Sequence, residues 1–188
     1  MLTKSKEPYF SADEYLQIEE QSPIKHEYVD GQLYALVGAS QNHNTLAANL
    51  LSALMQHLRG SGCRVFMSDI KVRIEQRNRF FYPDVVVTCD QRERETPLYL
   101  RYPKLVVEVL SDSSEAYDRG AKFLDYQTLE SLQEYVLIST KEQLVQCFRR
   151  SEPGLWVLQS YTQEDKVYQI GSLHFSKTLE ELYENVSF

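Results

Sequence analysis

Apolar residues recur along the chain with two different periods. Between Asn42 and Arg59 they fall at Leu46, Ala47, Leu50, Leu51, Leu54, Met55 and Leu58. Alternating steps of one and three put them on one face of a helix, which Arg59 and Gly60 close. Ser11-Ala12-Asp13-Glu14 has the form of a capping box and opens a shorter helix to about Glu20, stopped by Ser22-Pro23. Strand-like runs His26–Val29 and Gln32–Leu36 flank Asp30-Gly31, a strong hairpin signal. Further strands are predicted at Cys63–Phe66, Asp69–Glu75, Phe80–Thr88, Lys104–Leu110 and Glu134–Ser139, with a polar loop over residues 89–103. Gln143–Arg150 and Leu155–Tyr161 form a second hairpin around Ser151-Glu152-Pro153-Gly154, and Val167–Phe175 holds one or two short strands. Ser114 is placed to cap a helix running to about Leu129, and Thr178–Asn185 closes the chain as a helix. Strands with helices on both sides predict an α/β fold, a mixed central sheet flanked by helices with additional hairpins. Residues 1–188 are expected to form one domain.

Composition narrows the class. Hydrophobic residues make up 43% and charged residues 25%, which excludes wholesale disorder, a collagen-like repeat and a disulfide scaffold. No apolar run approaches the ~20 residues of a membrane span. The opening MLTKSKEPYF lacks a secretory apolar core. A cytoplasmic protein with no membrane partner is expected. The three cysteines, Cys63, Cys89 and Cys147, are widely spaced without a CxxC pair, so each is expected as a small buried apolar residue. The net charge of −7 disfavours non-specific binding to duplex DNA. Eight of the eleven arginines, however, lie between Arg59 and Arg101, a stretch with nine basic and six acidic side chains. That stretch is either a local basic face or a set of arginines on a solvated strand edge.

The chemistry concentrates in three segments. In Leu105-Val106-Val107-Glu108-Val109-Leu110 the side chains alternate, so Glu108 shares its face with Val106 and Leu110. A carboxylate there costs several kcal/mol to bury without a cation or donors. Glu108 is therefore either a core acid paired with Arg or Lys, or a functional ligand. Tyr82-Pro83-Asp84-Val85-Val86-Val87 is a second buried-type strand that opens on an acid; Asp84 could equally be a capping or turn residue. Two converging strand carboxylates repel by about 4 kcal/mol at ~4 Å and an effective dielectric near 20. A divalent cation reverses that sign, and hard oxygen ligands suit Mg²⁺ or Mn²⁺. In the third segment Asp118, Lys122 and Tyr126 fall at i, i+4 and i+8 of one helix row. Lys122 is either half of a surface ion pair or the ammonium that orients or activates water at the metal. His43, opening the long helix, reads first as a packing or capping residue, with a catalytic base as the alternative.

Asp84 after Pro83, followed by Glu108 in an apolar strand, resembles the PD-(D/E)xK signature of restriction-endonuclease-like nucleases. The chain as a whole resembles a large bacterial family of that fold, often called the Uma-type family. The likeness is carried by Glu27-Tyr28-Val29-Asp30-Gly31, His43, Pro83-Asp84-Val85-Val86, Glu108-Val109-Leu110-Ser111, Asp118, Lys122 with Tyr126, and Glu134-Tyr135. It implies a restriction-endonuclease-like fold in which Asp84, Glu108 and the Val109 carbonyl bind Mg²⁺ or Mn²⁺. Glu27 would add a third acid. The superfamily's lysine position is Leu110 here, so the resemblance moves that role to Lys122 on the helix. The implied activity is hydrolysis of nucleic-acid phosphodiesters, DNA first. A homodimer is expected separately, because cutting two strands commonly takes two sites and the 143–161 hairpin offers a surface. Two rivals are carried forward: a non-catalytic binding or interaction module on the same fold, and hydrolysis of a non-nucleic phosphate ester.

Overall fold

The computed structural model describes residues 8–152 and 154–188. Helix α1 spans Ala12–Gln21, with Ser11 and Glu14 making the reciprocal capping contacts. Strands β1 (His26–Val29) and β2 (Gln32–Ala35) are joined through Asp30 at φ 47° and Gly31 at φ 90°. Left-handed backbone at both positions is what a tight hairpin turn requires. Helix α2 spans Gln41–His57 and buries Leu46, Ala47, Leu50 and Leu54, the apolar stripe of its sequence. Then come β3 (Arg64–Met67), β4 (Lys71–Ile74), β5 (Arg79–Phe81), β6 (Val85–Thr88), β7 (Tyr99–Leu100) and β8 (Leu105–Val109). Helices α3 (Glu115–Arg119) and α4 (Ala121–Tyr126) precede β9 (Glu134–Ile138), β10 (Leu144–Glu152) and β11 (Leu155–Thr162). The chain closes with β12 (Val167–Ile170), β13 (Phe175–Thr178) and α5 (Leu179–Leu182).

Six strands form the central sheet in the order β11-β10-β9-β8-β6-β3, parallel at β8–β9 and antiparallel elsewhere. A second sheet, β2-β1-β5-β4-β7, packs across it, and β12–β13 form a separate hairpin. Alternation along the central strands divides the core in two. Val85, Val87, Leu105, Val107 and Val109 face α2 and the C-terminal segment. Val86, Val106 and Leu110 face the second sheet and α4, meeting Val72, Phe81, Phe123 and Tyr126. Glu108 has the parity of Val106 and Leu110, and it is buried with them at 3% exposure.

Four expectations are corrected. Phe80–Thr88 is two strands in different sheets, β5 and β6, because Pro83 cannot donate to a ladder and the chain turns there. The loop over residues 89–103 contains a single helical turn and β7. The helix expected from Ser114 breaks at Gly120, whose ψ of −101° lies outside helical space, and Ser114 makes no side-chain cap. Cys63 and Cys89 are bonded to one another, while Cys147 alone is the buried free thiol. The Arg64↔Thr88 register carries the two cysteines opposite each other just beyond the ends of β3 and β6.

Candidate active site

Four of the acids and bases named from the helix row and the strands converge. Lys122 Nζ on α4 lies 3.0 Å from Glu27 Oε1, 3.0 Å from Glu108 Oε1 and 3.5 Å from Asp118 Oδ1. All four residues are buried. Each reaches this point for a local reason. Glu27 projects from β1 and accepts the Tyr82 amide at 3.2 Å, holding the turn between β5 and β6. Glu108 points inward by strand alternation. Lys122 opens α4 immediately after the Gly120 break, one turn beyond Asp118. Its ammonium also stands 5.4 Å from the centre of the Phe81 ring.

Asp84 lies in the turn between β5 and β6, just before β6. Its Oδ2 accepts the Val109 N–H at 2.7 Å, tying the start of β6 to the end of β8. The same oxygen is 3.2 Å from His43 Nε2. Adjacent residues of β8 thus join two groups: Glu108 belongs to the lysine-centred cluster and Val109 to the Asp84–His43 pair. His43 and Asp118 complete the arrangement; from sequence His43 reads first as a packing or capping residue with a catalytic base as the alternative, and Asp118 has no role of its own. The signals for them are the place of His43 at the start of α2, the Asp118–Lys122 spacing, and the presence of both in the ordered set that carries the family resemblance.

Charge density sets the protonation. Burial pushes Glu108 well above the ordinary carboxyl range; Lys122 opposes this, while Asp118, Asp84 and Glu27 add to it. For Lys122, burial acts downward, but Glu108, Glu27 and Asp118 outweigh it and hold the ammonium well above its ordinary value. As a pair the two directions disagree, because one buried ammonium is shared by several carboxylates: Lys122 is held charged, while burial and its acidic neighbours make Glu108 keep its proton more readily. Glu108 Oε1 is buried without a hydrogen-bond partner, so its contact with Lys122 is ionic rather than well directed. For His43, burial acts downward, and the bond to Asp84, its charge and the Val109 backbone bring the net shift upward.

These donors are hard oxygens, the class that suits Mg²⁺ and Mn²⁺. Among the described residues, no group of three His, Cys, Asp or Glu side chains is arranged to hold a metal. The Lys122 ammonium occupies the space between Glu27, Glu108 and Asp118. The arginine-rich stretch goes elsewhere. Arg73, Arg92, Arg101 and Lys104, with Glu75, Asp90 and Glu130, line a cavity of about 630 Å³ at the far ends of β6 and β8.

A mixed sheet carrying an acid at the start of one central strand and a second acid within its neighbour defines a restriction-endonuclease-like α/β protein. A crystal structure described as "a putative nuclease belonging to DUF820" from Anabaena variabilis superposes with a TM-score of 0.75, covering 93% of this chain and 97% of that one at 17% identity. The chain belongs to the Uma2 family, "Putative restriction endonuclease", whose model matches residues 12–177. Two Synechocystis proteins are similar over most of their length. "Uncharacterized protein slr1290" is 39% identical over 181 residues, 96% of this chain and 95% of that protein. "Uncharacterized protein sll1609" is 33% identical over 160 residues, 84% and 90% respectively.

Proposed function

We propose that the chain is a divalent-metal-dependent nuclease that hydrolyses nucleic-acid phosphodiester bonds, with DNA as the first substrate to try. Family membership supports the nuclease class. The observation that carries the finer reading is the placement of Asp84 just before β6 and Glu108 within the adjacent strand β8, with the Lys122 ammonium 3.0 Å from Glu108. The donor types are those a hard cation takes: the Asp84 and Glu108 carboxylates, one Glu108 oxygen of which is buried without a hydrogen-bond partner, and the Val109 carbonyl. Asp84, Glu108 and Val109 would hold Mg²⁺ or Mn²⁺, which supplies Lewis acidity at a phosphoryl oxygen.

The remaining steps belong to the chain's own residues. Lys122 presents a fixed ammonium that orients the attacking water and offsets negative charge growing on the phosphoryl group. Glu27 and Asp118 hold that ammonium in place, and Glu27 also fixes the Tyr82 amide. The Val109 amide orients the Asp84 carboxylate.

The rival is a binding module on the same fold, favoured by an ammonium that already occupies the space among Glu27, Glu108 and Asp118. Cleavage of mixed DNA and RNA with Mg²⁺, Mn²⁺ or chelator separates them. Metal-dependent cutting lost in Asp84→Ala and Glu108→Gln is expected. Cutting that survives both substitutions would sink the assignment.

Two further parts of the proposal have their own tests. Homodimerisation would use β11, an edge strand that exposes Leu155, Val157 and Leu158. Sedimentation as a monomer at micromolar concentration would contradict it. No helix among the described residues is long and apolar enough to cross a membrane. A cytoplasmic location would keep Cys63 and Cys89 as thiols, so thiol labelling in intact cells tests it.

A further inference from the structure

We infer that the cavity at the far ends of β6 and β8 binds a small organic phosphate monoester, with its phosphoryl group on Arg101 and Lys104. The site goes beyond the proposed nuclease activity and needs no metal. It also stands apart from the acid cluster, which gathers toward the opposite ends of those two strands. Four cations and three carboxylates line the cavity. Two of the cations are already matched: Arg92 meets Asp90 at 2.6 Å, and Arg73 meets Glu75 at 3.4 Å. Arg101 and Lys104 are left over. Among the described residues the Lys104 ammonium has no hydrogen bond or ion pair, and the Arg101 guanidinium has no hydrogen bond. The one carboxylate near Arg101 is Glu95, 4.0 Å away and 73% exposed, and Arg101 Nε is buried without a partner.

The backbone carrying these two cations is fixed, although their side chains are unused. The buried Glu93 carboxylate accepts the Arg101 amide at 2.9 and 3.0 Å and the Tyr102 amide at 2.5 Å. Glu93 is thereby spent on amides, not on the guanidinium. Thr88 Oγ1 donates to the Tyr102 carbonyl at 2.9 Å. The Lys104 amide donates to the Val87 carbonyl at 2.7 Å, and its carbonyl accepts the Gln133 amide at 2.9 Å. A guanidinium fork takes a phosphoryl group bidentately, and an ammonium adds a point charge. With Glu130 exposed to solvent, the two cations match the roughly two negative charges of a monoester. Ile74, Leu129 and the Tyr102 ring supply apolar wall for an organic body. The volume of about 630 Å³ falls within the roughly 300–1,000 Å³ usual for small-molecule sites. The net charge of −7 disfavours a long polyanion, so a free ester is favoured over a nucleic-acid strand.

The test is calorimetry on the full chain at neutral pH and low salt, without added metal. The probes are a nucleoside 5′-monophosphate, inorganic phosphate, and a single-stranded oligonucleotide without terminal phosphates. Wild type should bind the monophosphate, and inorganic phosphate more weakly for want of the organic body. Arg101→Gln and Lys104→Gln should each weaken monophosphate binding about tenfold or more, the loss of a charge-assisted hydrogen bond. Lys104→Arg keeps the cation and should lose far less. Lys166→Gln, at an exposed lysine elsewhere, should change nothing. Urea midpoints near wild type would establish that the variants fold; if Arg101→Gln does not, the contrast between Lys104→Gln and Lys104→Arg decides. No monophosphate binding by wild type, undiminished binding in Lys104→Gln, or an equal loss in Lys166→Gln would overturn the site. Oligonucleotide binding that is lost in the same variants, without monophosphate binding, would give the cavity to a nucleic-acid strand and overturn the ester. Because no metal is added, each result is independent of the cleavage assay.

Discussion

Lys122 has 7% side-chain exposure and three carboxylates within 3.5 Å. Removing it leaves buried charge without a counter-ion, so Lys122→Met should cost about 3–5 kcal/mol of stability. The loss is measurable as a fall in the urea midpoint. Its pH dependence has a definite sign. In the variant, the stranded acids cost most when ionised, so the deficit should shrink as pH falls and they protonate. In wild type the Lys122 pKa is raised, so its stabilisation is present below the ordinary 10.5 and fades as pH climbs past it. An equal deficit at pH 7 and pH 4 would contradict the stranded-charge explanation. Glu108 was legible because alternation in a fully apolar run dictates its direction, and Lys122 because helix spacing ties it to Asp118. Asp84 was half legible: it does sit at a turn, and it also takes the Val109 amide. The His43–Asp84 contact was not, because it joins positions 41 residues apart through tertiary packing.

Elements were read well where one period governs and poorly where a backbone break decides. The stripe on α2 and the buried runs of β6, β8 and β9 follow directly from apolar spacing. The division of residues 80–88 between two sheets depends on Pro83 and on where β5 finds its partners, and apolarity alone conceals it. Gly120 likewise looks harmless in the sequence yet separates α3 from α4, and that break positions Lys122. At the first hairpin, Gly31 has φ 90°, and a Cβ there would meet the Tyr9 ring at 2.1 Å. Gly31→Ala should lower stability by about 1–2 kcal/mol through left-handed strain, seen as a drop in thermal midpoint; an unchanged midpoint would contradict the turn geometry. The Cys63–Cys89 bond was invisible in the sequence because strand register creates it. It closes a loop with a sequence separation of 26, which corresponds to about 3.5 kcal/mol by loop entropy. Reduction should shift the urea midpoint downward, and Cys63→Ser should abolish the response.

For the whole molecule, the central sheet works as a partition. One face packs on α2 and the C-terminal segment, and the other on the second sheet and α4. The acids gather where β1, β6, β8, α3 and α4 meet, so the candidate site draws on both sheets. The second sheet was the main architectural feature the sequence concealed, since its strands read equally well as extensions of a single one. Overall charge also shapes substrate binding. With a net charge of −7, the chain should hold nucleic acid weakly without a cation, and affinity should fall as salt rises. Fluorescence anisotropy of a short labelled duplex, with and without Mn²⁺ and across a salt series, checks both expectations.

The most direct measurement is anomalous diffraction from crystals soaked in Mn²⁺. A single manganese peak is expected within about 2.0–2.6 Å of oxygens from Asp84, Glu108 and Val109, and it should be absent in Asp84→Asn crystals. Manganese confined to surface carboxylates, with Lys122 still seated between Glu27 and Glu108, would contradict a metal-dependent site.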